Sequence, residues 1–172
     1  MSWIQTYTGR RFYPLNPMPE DIEILDIAHA LSHLCRFNGH TRQFYSVAQH
    51  SVLVMCVVPE PLALAALLHD ATEAYFADIV TPIKRHLGEI GEVEQRIHEA
   101  IAARFGIPVE MDPLIKRADL ELLATERRDL LLPTDDEWAC LKGVEPRFEQ
   151  ITAWDPETAK KMFLEQFEGL AG

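Results

Sequence analysis

Residues 62–75 read LALAALLHDATEAY, the most apolar stretch of this 172-residue chain. The first seven residues are all leucine or alanine, and a helix that is apolar on every side packs inside a protein. His69 and Asp70 end the apolar run, and Glu73 follows shortly after them. The sequence therefore predicts a helix through the core that carries ionisable side chains.

Helix boundaries are marked clearly on both sides of this stretch. Ser46 and Gln49 have the spacing of a capping box, ahead of an apolar run to Val58. Another helix is predicted to open at Asp26. Three later starts combine a capping residue with proline at the first helical position, namely Thr81-Pro82, Asp112-Pro113 and Asp155-Pro156.

The later helices have predicted ends as well as starts. One runs from about 89 to 105 with Gly106 as its C-cap, a long one ends near 132, and a terminal one ends at Gly169. Almost no window alternates as a strand would. We therefore expect an all-α, compact bundle of about six helices, a single domain over 1–172. Its irregular parts are an N-terminal arm over 1–25 and a connection over 133–154.

Composition and charge exclude several classes of protein. Hydrophobic residues make up 48% and the formal charge is -11, so the chain is globular and repels polyphosphate backbones. No apolar run reaches the roughly 18 residues of a membrane span, and the N-terminus lacks the apolar core of a signal peptide. Three widely separated cysteines favour free thiols. We expect a cytoplasmic protein with no membrane and no nucleic acid polymer as partner.

Ionisable residues interrupt apolar stripes on three predicted helices. His50 lies between Val47 and Val54 at helical spacing, and Asp119 lies among Ile115, Leu122 and Leu123. A carboxylate on a core-facing stripe is costly unless it is paired or bound to a cation. We therefore predict one divalent metal ion (Co, Mn, Zn, Fe or Mg), with the ligands His50, His69, Asp70 and Asp119.

Each of these positions has a plainer explanation when it is taken alone. A lone histidine on an apolar face is more often a hydrogen-bonded core residue, and a lone buried aspartate usually caps a helix or pairs with a cation. The combination of an adjacent His-Asp pair with one histidine before it and one aspartate after it is what favours the metal.

The same residues occur in segments that resemble a known family. SVAQHS (46–51), LLHDATEAYFADIVTPIK (67–84) and KRADLELLATE (116–126) are similar to the HD-domain metal-dependent phosphohydrolases. The resemblance covers about residues 26–130 and is strongest to the YfbR-like 5′-deoxynucleotidases. The segment 7–51 resembles the phage and prophage branch, which includes deoxyadenosine triphosphate triphosphohydrolases.

The resemblance implies roles for individual residues. It implies ligand roles for the four predicted metal residues, catalytic or substrate-orienting roles for Glu73 and Asp78, and a substrate-facing role for Arg36. Phe37 is a candidate to stack on a sugar or base, or is an ordinary core aromatic. Lys84 and His40 are candidates to contact phosphate, or are a solvated lysine and a turn residue.

The expected activity is hydrolysis of deoxyribonucleotides, with metal-bound water attacking the phosphate nearest the sugar. Whether the substrate is a monophosphate (5′-deoxynucleotidase) or a triphosphate (dNTP or dATP triphosphohydrolase) stays open. One alternative is a non-catalytic nucleotide- and metal-binding HD module, against which the acid-base candidates Glu73 and Asp78 argue. A phosphodiesterase of the same superfamily is another, although no histidine follows His98 to bind a second metal. We also expect a homo-oligomer, a dimer or a hexamer.

Overall fold

Eight α-helices form most of the regular structure in the computed structural model, which describes residues 2–84 and 86–171. In chain order they are α1 (Ile24–His33), α2 (Val47–Val57), α3 (Ala63–Leu67), α4 (Glu73–Phe76), α5 (Thr81–Lys84), α6 (Ile90–Phe105), α7 (Pro113–Leu130) and α8 (Pro156–Ala171). The predicted all-α fold class is confirmed. There are more helices than the predicted six, because the segment 62–75 forms two one-turn helices, α3 and α4, and α5 is a further single turn ahead of α6.

Helix α2 lies at the centre of the bundle. It contacts α1, α3, α7 and α8, and most of its residues are buried. Because α2 is apolar on nearly every side, it has to be surrounded by other helices. Its one histidine, His50, is thereby placed deep in the protein.

Ser46 caps α2 as predicted, but the reciprocal half of the capping box is absent. The Ser46 hydroxyl accepts a hydrogen bond from Gln49 N at 3.1 Å. The Gln49 side chain instead donates to the Thr152 carbonyl and accepts from Trp154 N, both at 2.8 Å. Gln49 thus attaches the 133–154 connection to α2. Within that connection the regular structure is one 3-10 turn, Ala139–Leu141.

The predicted starts of α7 and α8 and the predicted end of α6 are confirmed, whereas α7 already ends at Leu130 and α8 continues past the predicted end at Gly169 to Ala171. Gly106 ends α6 in the left-handed region, with φ of 69°. Asp112 accepts a hydrogen bond from Leu114 N at 2.8 Å ahead of the proline that opens α7. Asp155 likewise accepts from Thr158 N at 2.9 Å at the start of α8. The capping side chain predicted at Thr81 lies outside the described part of the chain.

The prediction of one continuous helix over 62–75 is wrong. Helix α3 ends at Leu67, and Leu68 leaves helical geometry with ψ of 7°. Tight hydrogen bonds three residues apart follow, including Ala71 N to Leu68 O at 3.1 Å and Glu73 N to Asp70 O at 3.0 Å. The His69-Asp70 pair therefore lies on a tight turn between α3 and α4 rather than on a helix face.

Residues 2–25 are more ordered than predicted. Strands β1 (Ile4–Gln5) and β2 (Arg11–Phe12) form an antiparallel hairpin with Ile4 opposite Phe12. The turn is attached to α1, since Thr8 N and its hydroxyl donate to Asp26 at 2.7 and 2.9 Å. Phe12 is fully buried and stacks on Tyr75. Strands of two residues are too short to show alternation in a sequence.

A continuous set of buried apolar residues joins the hairpin to α8, from Phe12 to Phe163. None of the helices described in 2–84 and 86–171 has the length and apolar character needed to cross a membrane.

Candidate functional site

His50 is the most deeply placed residue of the site. Its side chain is 0% exposed, and its Nδ1 lies 2.6 Å from Glu126 Oε1. Because a carboxylate can only accept, Nδ1 is the donor in this hydrogen bond. The other ring nitrogen, Nε2, is buried and forms no hydrogen bond.

His69 has the same arrangement. Its Nδ1 donates to the Ala66 carbonyl at 2.8 Å, a bond that the tight turn after α3 makes possible. Its Nε2 is likewise buried without a hydrogen bond. Buried polar atoms in proteins nearly always have partners, so two unpartnered ring nitrogens in one place need an explanation.

Asp119 completes a group that could hold a metal ion. One ligand atom from each of His50, His69 and Asp119 lies within 4.8 Å of the other two. Asp70 adjoins this group, since its Oδ2 lies 3.2 Å from His69 Nε2 and 3.6 Å from His50 Nε2. The structure therefore brings together all four residues that the sequence nominates as metal ligands.

The charges of these groups depend on one another. Burial raises the pKa of Asp70, but His69, His50 and Arg36 outweigh it and hold that pKa well below its usual range. Burial also raises the pKa of Asp119, but the adjacent His50, with His69 and Lys116, outweighs burial and holds that pKa well below its usual range. Both carboxyls are therefore ionised at neutral pH.

His50 responds to the carboxylates around it. Burial and the Arg36 charge lower its pKa, but Glu126 and Asp119 outweigh them and raise the pKa to about 9. Positive charge is thus favoured at this point, whether a proton or a metal ion supplies it.

Glu126 is the site residue that the sequence interpretation missed. It is fully buried on α7 and accepts from Tyr45 Oη at 2.9 Å and from Arg36 Nη2 at 3.0 Å, besides His50. Burial raises its pKa, but Arg36 and His50 outweigh this and lower it. The spacing indicates its burial but not its partner, because Glu126 follows Leu122 by four residues and Asp119 by seven, on the same stripe of the helix.

The surroundings of Glu73 raise its pKa, whereas those of Asp70 and Asp119 lower theirs. Burial raises its pKa to about 9, and the charges of Asp70 and Asp78 act in the same direction. Its Oε2 is buried and forms no hydrogen bond. Burial raises the pKa of Asp78 too, with Asp70 contributing. His50, His69, Asp70 and Asp119 are together called the His-Asp group. Both predicted acid-base residues lie close enough to this group for its charges to shift their pKa values.

Ala77 connects α4 to Asp78 with a strained backbone. Its φ of 76° and ψ of 164° lie in a region that is almost restricted to glycine. Strain of this kind clusters at active sites, ligand clamps and switch regions.

The four predicted substrate-contacting residues lie at different distances from the His-Asp group. Arg36 is in contact with it, since its Nη1 lies 3.7 Å from Asp70 Oδ2. Phe37 is half-buried beside Arg36, with its ring centroid 6.2 Å from that of Trp138. Lys84 is paired with Glu94 and lies over the Phe76 ring. His40 is exposed at the end of the 3-10 turn Arg36–Gly39.

Fold and site together define an all-α protein with a buried His-Asp group that could hold a metal ion. The chain is 45% identical to the uncharacterized protein YfdR of Escherichia coli (strain K12) over 173 residues, 99% of this chain and 97% of YfdR. The chain therefore belongs to the YfdR family. An uncharacterized protein of Rhodobacter capsulatus is 42% identical over 127 residues, which cover 68% of this chain and 65% of that protein. No protein-family model matches the chain.

Proposed function

We propose that this protein is an HD-type, metal-dependent phosphohydrolase that acts on deoxyribonucleotides. The observation that carries the proposal is the pair of buried Nε2 atoms of His50 and His69, which form no hydrogen bond and face Asp70 and Asp119. Two imidazoles and carboxylates from three parts of the chain suit a divalent transition metal.

His50, His69 and Asp119 are the residues that would hold the ion, with Asp70 adjoining them. When bound, a divalent ion supplies an activated water and stabilises negative charge on phosphate. The choice among Co, Mn, Zn, Fe and Mg belongs to experiment, because this mixed set of nitrogen and oxygen donors suits several of them.

Glu73 is the proposed proton carrier. Its pKa of about 9, raised by burial and then by Asp70 and Asp78, means that it holds a proton at neutral pH. Cationic charge bound nearby lowers a carboxyl pKa toward the neutral range, where general acid-base groups work best. Glu73 is therefore suited to protonate the leaving oxygen. The nearby Asp78 influences this role, because its charge raises the pKa of Glu73.

Arg36 is the proposed phosphate contact. Its Nε and Nη2 donate to Glu126, which leaves Nη1 facing Asp70 beside the metal group. A guanidinium held in this way suits a phosphate oxygen. Phe37, next to it, is the proposed stacking surface for sugar or base. Lys84 would have to break its ion pair with Glu94 to contact a phosphate. His40 would have to contact the substrate from the exposed end of the turn Arg36–Gly39.

The test is a panel of deoxy- and ribonucleotide mono- and triphosphates with Co²⁺, Mn²⁺, Mg²⁺ and Zn²⁺, with the products identified. We expect deoxyribonucleotides to be hydrolysed at the phosphate nearest the sugar. Nucleoside with inorganic phosphate defines a 5′-deoxynucleotidase, and nucleoside with intact triphosphate defines a triphosphohydrolase. Equal rates on ribonucleotides contradict the sugar preference, and no turnover with any metal favours the nucleotide-binding module.

We further propose a cytoplasmic homo-oligomer, a dimer or a hexamer. All three cysteines are free thiols, which suits a reducing compartment. Light scattering coupled to size exclusion measures the subunit number directly, and a monomeric mass contradicts the expectation.

A further inference from the structure

The geometry points to Glu126 as a positioning residue that sets the tautomer of His50 for metal binding. This inference rests on the proposed metal-dependent function. Glu126 acts on the metal position through His50, and it separately holds Arg36, the proposed phosphate contact.

The contact between Glu126 and His50 decides which ring nitrogen is free. With Nδ1 donating to Glu126 Oε1 at 2.6 Å, a neutral His50 keeps its proton on Nδ1. Its lone pair is then on Nε2, the atom that lies 3.4 Å from Asp119 Oδ1 and 3.6 Å from Asp70 Oδ2. Without the carboxylate, the proton is free to move to Nε2 and block that position.

Two further donors keep the Glu126 carboxylate in place. Arg36 donates to Oε2 through Nε at 3.3 Å and through Nη2 at 3.0 Å. Tyr45 donates to Oε1 at 2.9 Å. A fully buried carboxylate is otherwise costly, so three donor side chains around one carboxylate indicate that its charge and position are both maintained.

Helix α7 carries both parts of this arrangement. Asp119, a candidate ligand, and Glu126 are seven residues apart and so lie two turns apart on one face. A histidine that donates to a carboxylate through its far nitrogen is a recurring way of orienting metal ligands, and removing that carboxylate typically weakens metal binding by roughly 10–100-fold.

The first experiment titrates Co²⁺ alone into the full-length protein and into Glu126→Gln, following the cobalt absorption spectrum. Glutamine has the same shape but offers one acceptor oxygen and one donor nitrogen to three donor side chains. We expect Co²⁺ affinity to fall by roughly 10–100-fold in a variant with unchanged circular dichroism. The matched control is Glu121→Gln, also on α7, where Glu121 pairs with Arg117 and Arg147. The control should keep the parent affinity.

The second measurement uses the parent protein loaded with Zn²⁺, so that it stands even if Glu126→Gln fails to fold. Long-range ¹H–¹⁵N correlation should show His50 with a protonated Nδ1 and a metal-bound Nε2. Coordination through Nδ1, or parent-like Co²⁺ affinity in a folded Glu126→Gln, overturns the inference, and so does a parent that binds no Co²⁺. A parent that binds metal through Nε2 but hydrolyses no nucleotide leaves this inference standing and removes the proposed activity.

Discussion

Two carboxyl groups three residues apart hold opposite protonation states in this site. Asp70 faces His69, His50 and Arg36, so its pKa lies well below the usual range despite burial. Burial and the charges of Asp70 and Asp78 raise the pKa of Glu73 to about 9. When the surroundings move the pKa values of two neighbouring carboxyl groups apart, one group stays ionised and the other can carry a proton. The same chemical group is thus suited to bind a cation at one position and to move a proton at the other.

Replacing Glu73 with glutamine tests the proton-carrier role. Glu73→Gln keeps the size of the side chain but cannot transfer a proton at neutral pH. General acid-base groups contribute roughly 10²–10⁴-fold in rate, so we expect turnover to fall by about that factor. Co²⁺ and nucleotide binding, measured by calorimetry, should stay close to the parent values. Retention of most activity would assign the proton transfer to Asp78 or to solvent.

Replacing Asp119 with alanine separates metal binding from folding. The Asp119 side chain is 19% exposed and pairs with the exposed Lys116 at 2.8 Å, so its removal leaves a small cavity and a lysine that water can solvate. We expect Asp119→Ala to lose metal while its helicity is retained. Metal content by elemental analysis and circular dichroism measure the two effects. Full occupancy in the variant contradicts the ligand assignment.

At the scale of elements, the short segment from α4 to Asp78 stores backbone strain. Ala77 adopts φ 76° and ψ 164°, and a non-glycine residue in this region costs about 1–3 kcal/mol. We expect Ala77→Gly to raise the free energy of unfolding by about 1 kcal/mol, since glycine removes the strain but adds freedom to the unfolded chain. Urea denaturation measures this change.

The matched control is Ala74→Gly, which places glycine inside α4. Ala74 belongs to an ordinary helical turn, so the same change should lower stability by about 0.5–1 kcal/mol. Equal effects of the two substitutions would show that Ala77 carries no special strain.

The elements that the sequence predicted are those with local signals. Asp112 and Gly106 mark helix ends through their own hydrogen bond and backbone angle, and both ends are confirmed. The break after Leu67 escaped prediction because leucine and alanine favour helix on both sides of it. What ends α3 is a tight turn with the His69 side chain bonded back to Ala66 O. The spacing of apolar residues in the sequence gives no sign of this hydrogen bond.

The sequence predicted that His50, His69 and Asp119 come together in a group that could hold a metal ion, but it did not predict the contact of Glu126 with that group. His50 and Asp119 interrupt apolar stripes, a pattern that one helix reveals by itself. Glu126 acquires its meaning only when α2 and α7 pack together and bring it to His50, 76 positions away in sequence. Contacts at that separation are a property of the tertiary fold rather than of any local window.

At the scale of the whole molecule, the site links folding to pH. Glu126 and Asp119 raise the pKa of His50 against the effects of burial and Arg36, from an ordinary 6.5 to about 9. Burial raises that of Glu73 from 4.5 to about 9. A group whose pKa is raised on folding contributes stability that is present below the unfolded value and is lost as pH rises through the folded value. Asp70, Asp119 and Glu126 have lowered pKa values and stay ionised throughout this range.

The metal-free protein should therefore lose stability as pH rises from about 4.5, where unfolded Glu73 ionises, and more steeply from about 6.5, where unfolded His50 loses its proton, up to about pH 9. The reason is that the fold retains these two protons over a range in which the unfolded chain has released them. Metal binding should follow the opposite trend, because a cation has to displace the His50 proton and competes better as pH rises, by about tenfold in affinity per pH unit. Melting temperatures in EDTA and in Zn²⁺ at pH 6, 7, 8 and 9 measure both trends. The EDTA curve should fall while the stabilisation by Zn²⁺ grows. A stabilisation by Zn²⁺ that is independent of pH over this range would mean that no proton leaves the site on binding, and that His50 is not a ligand.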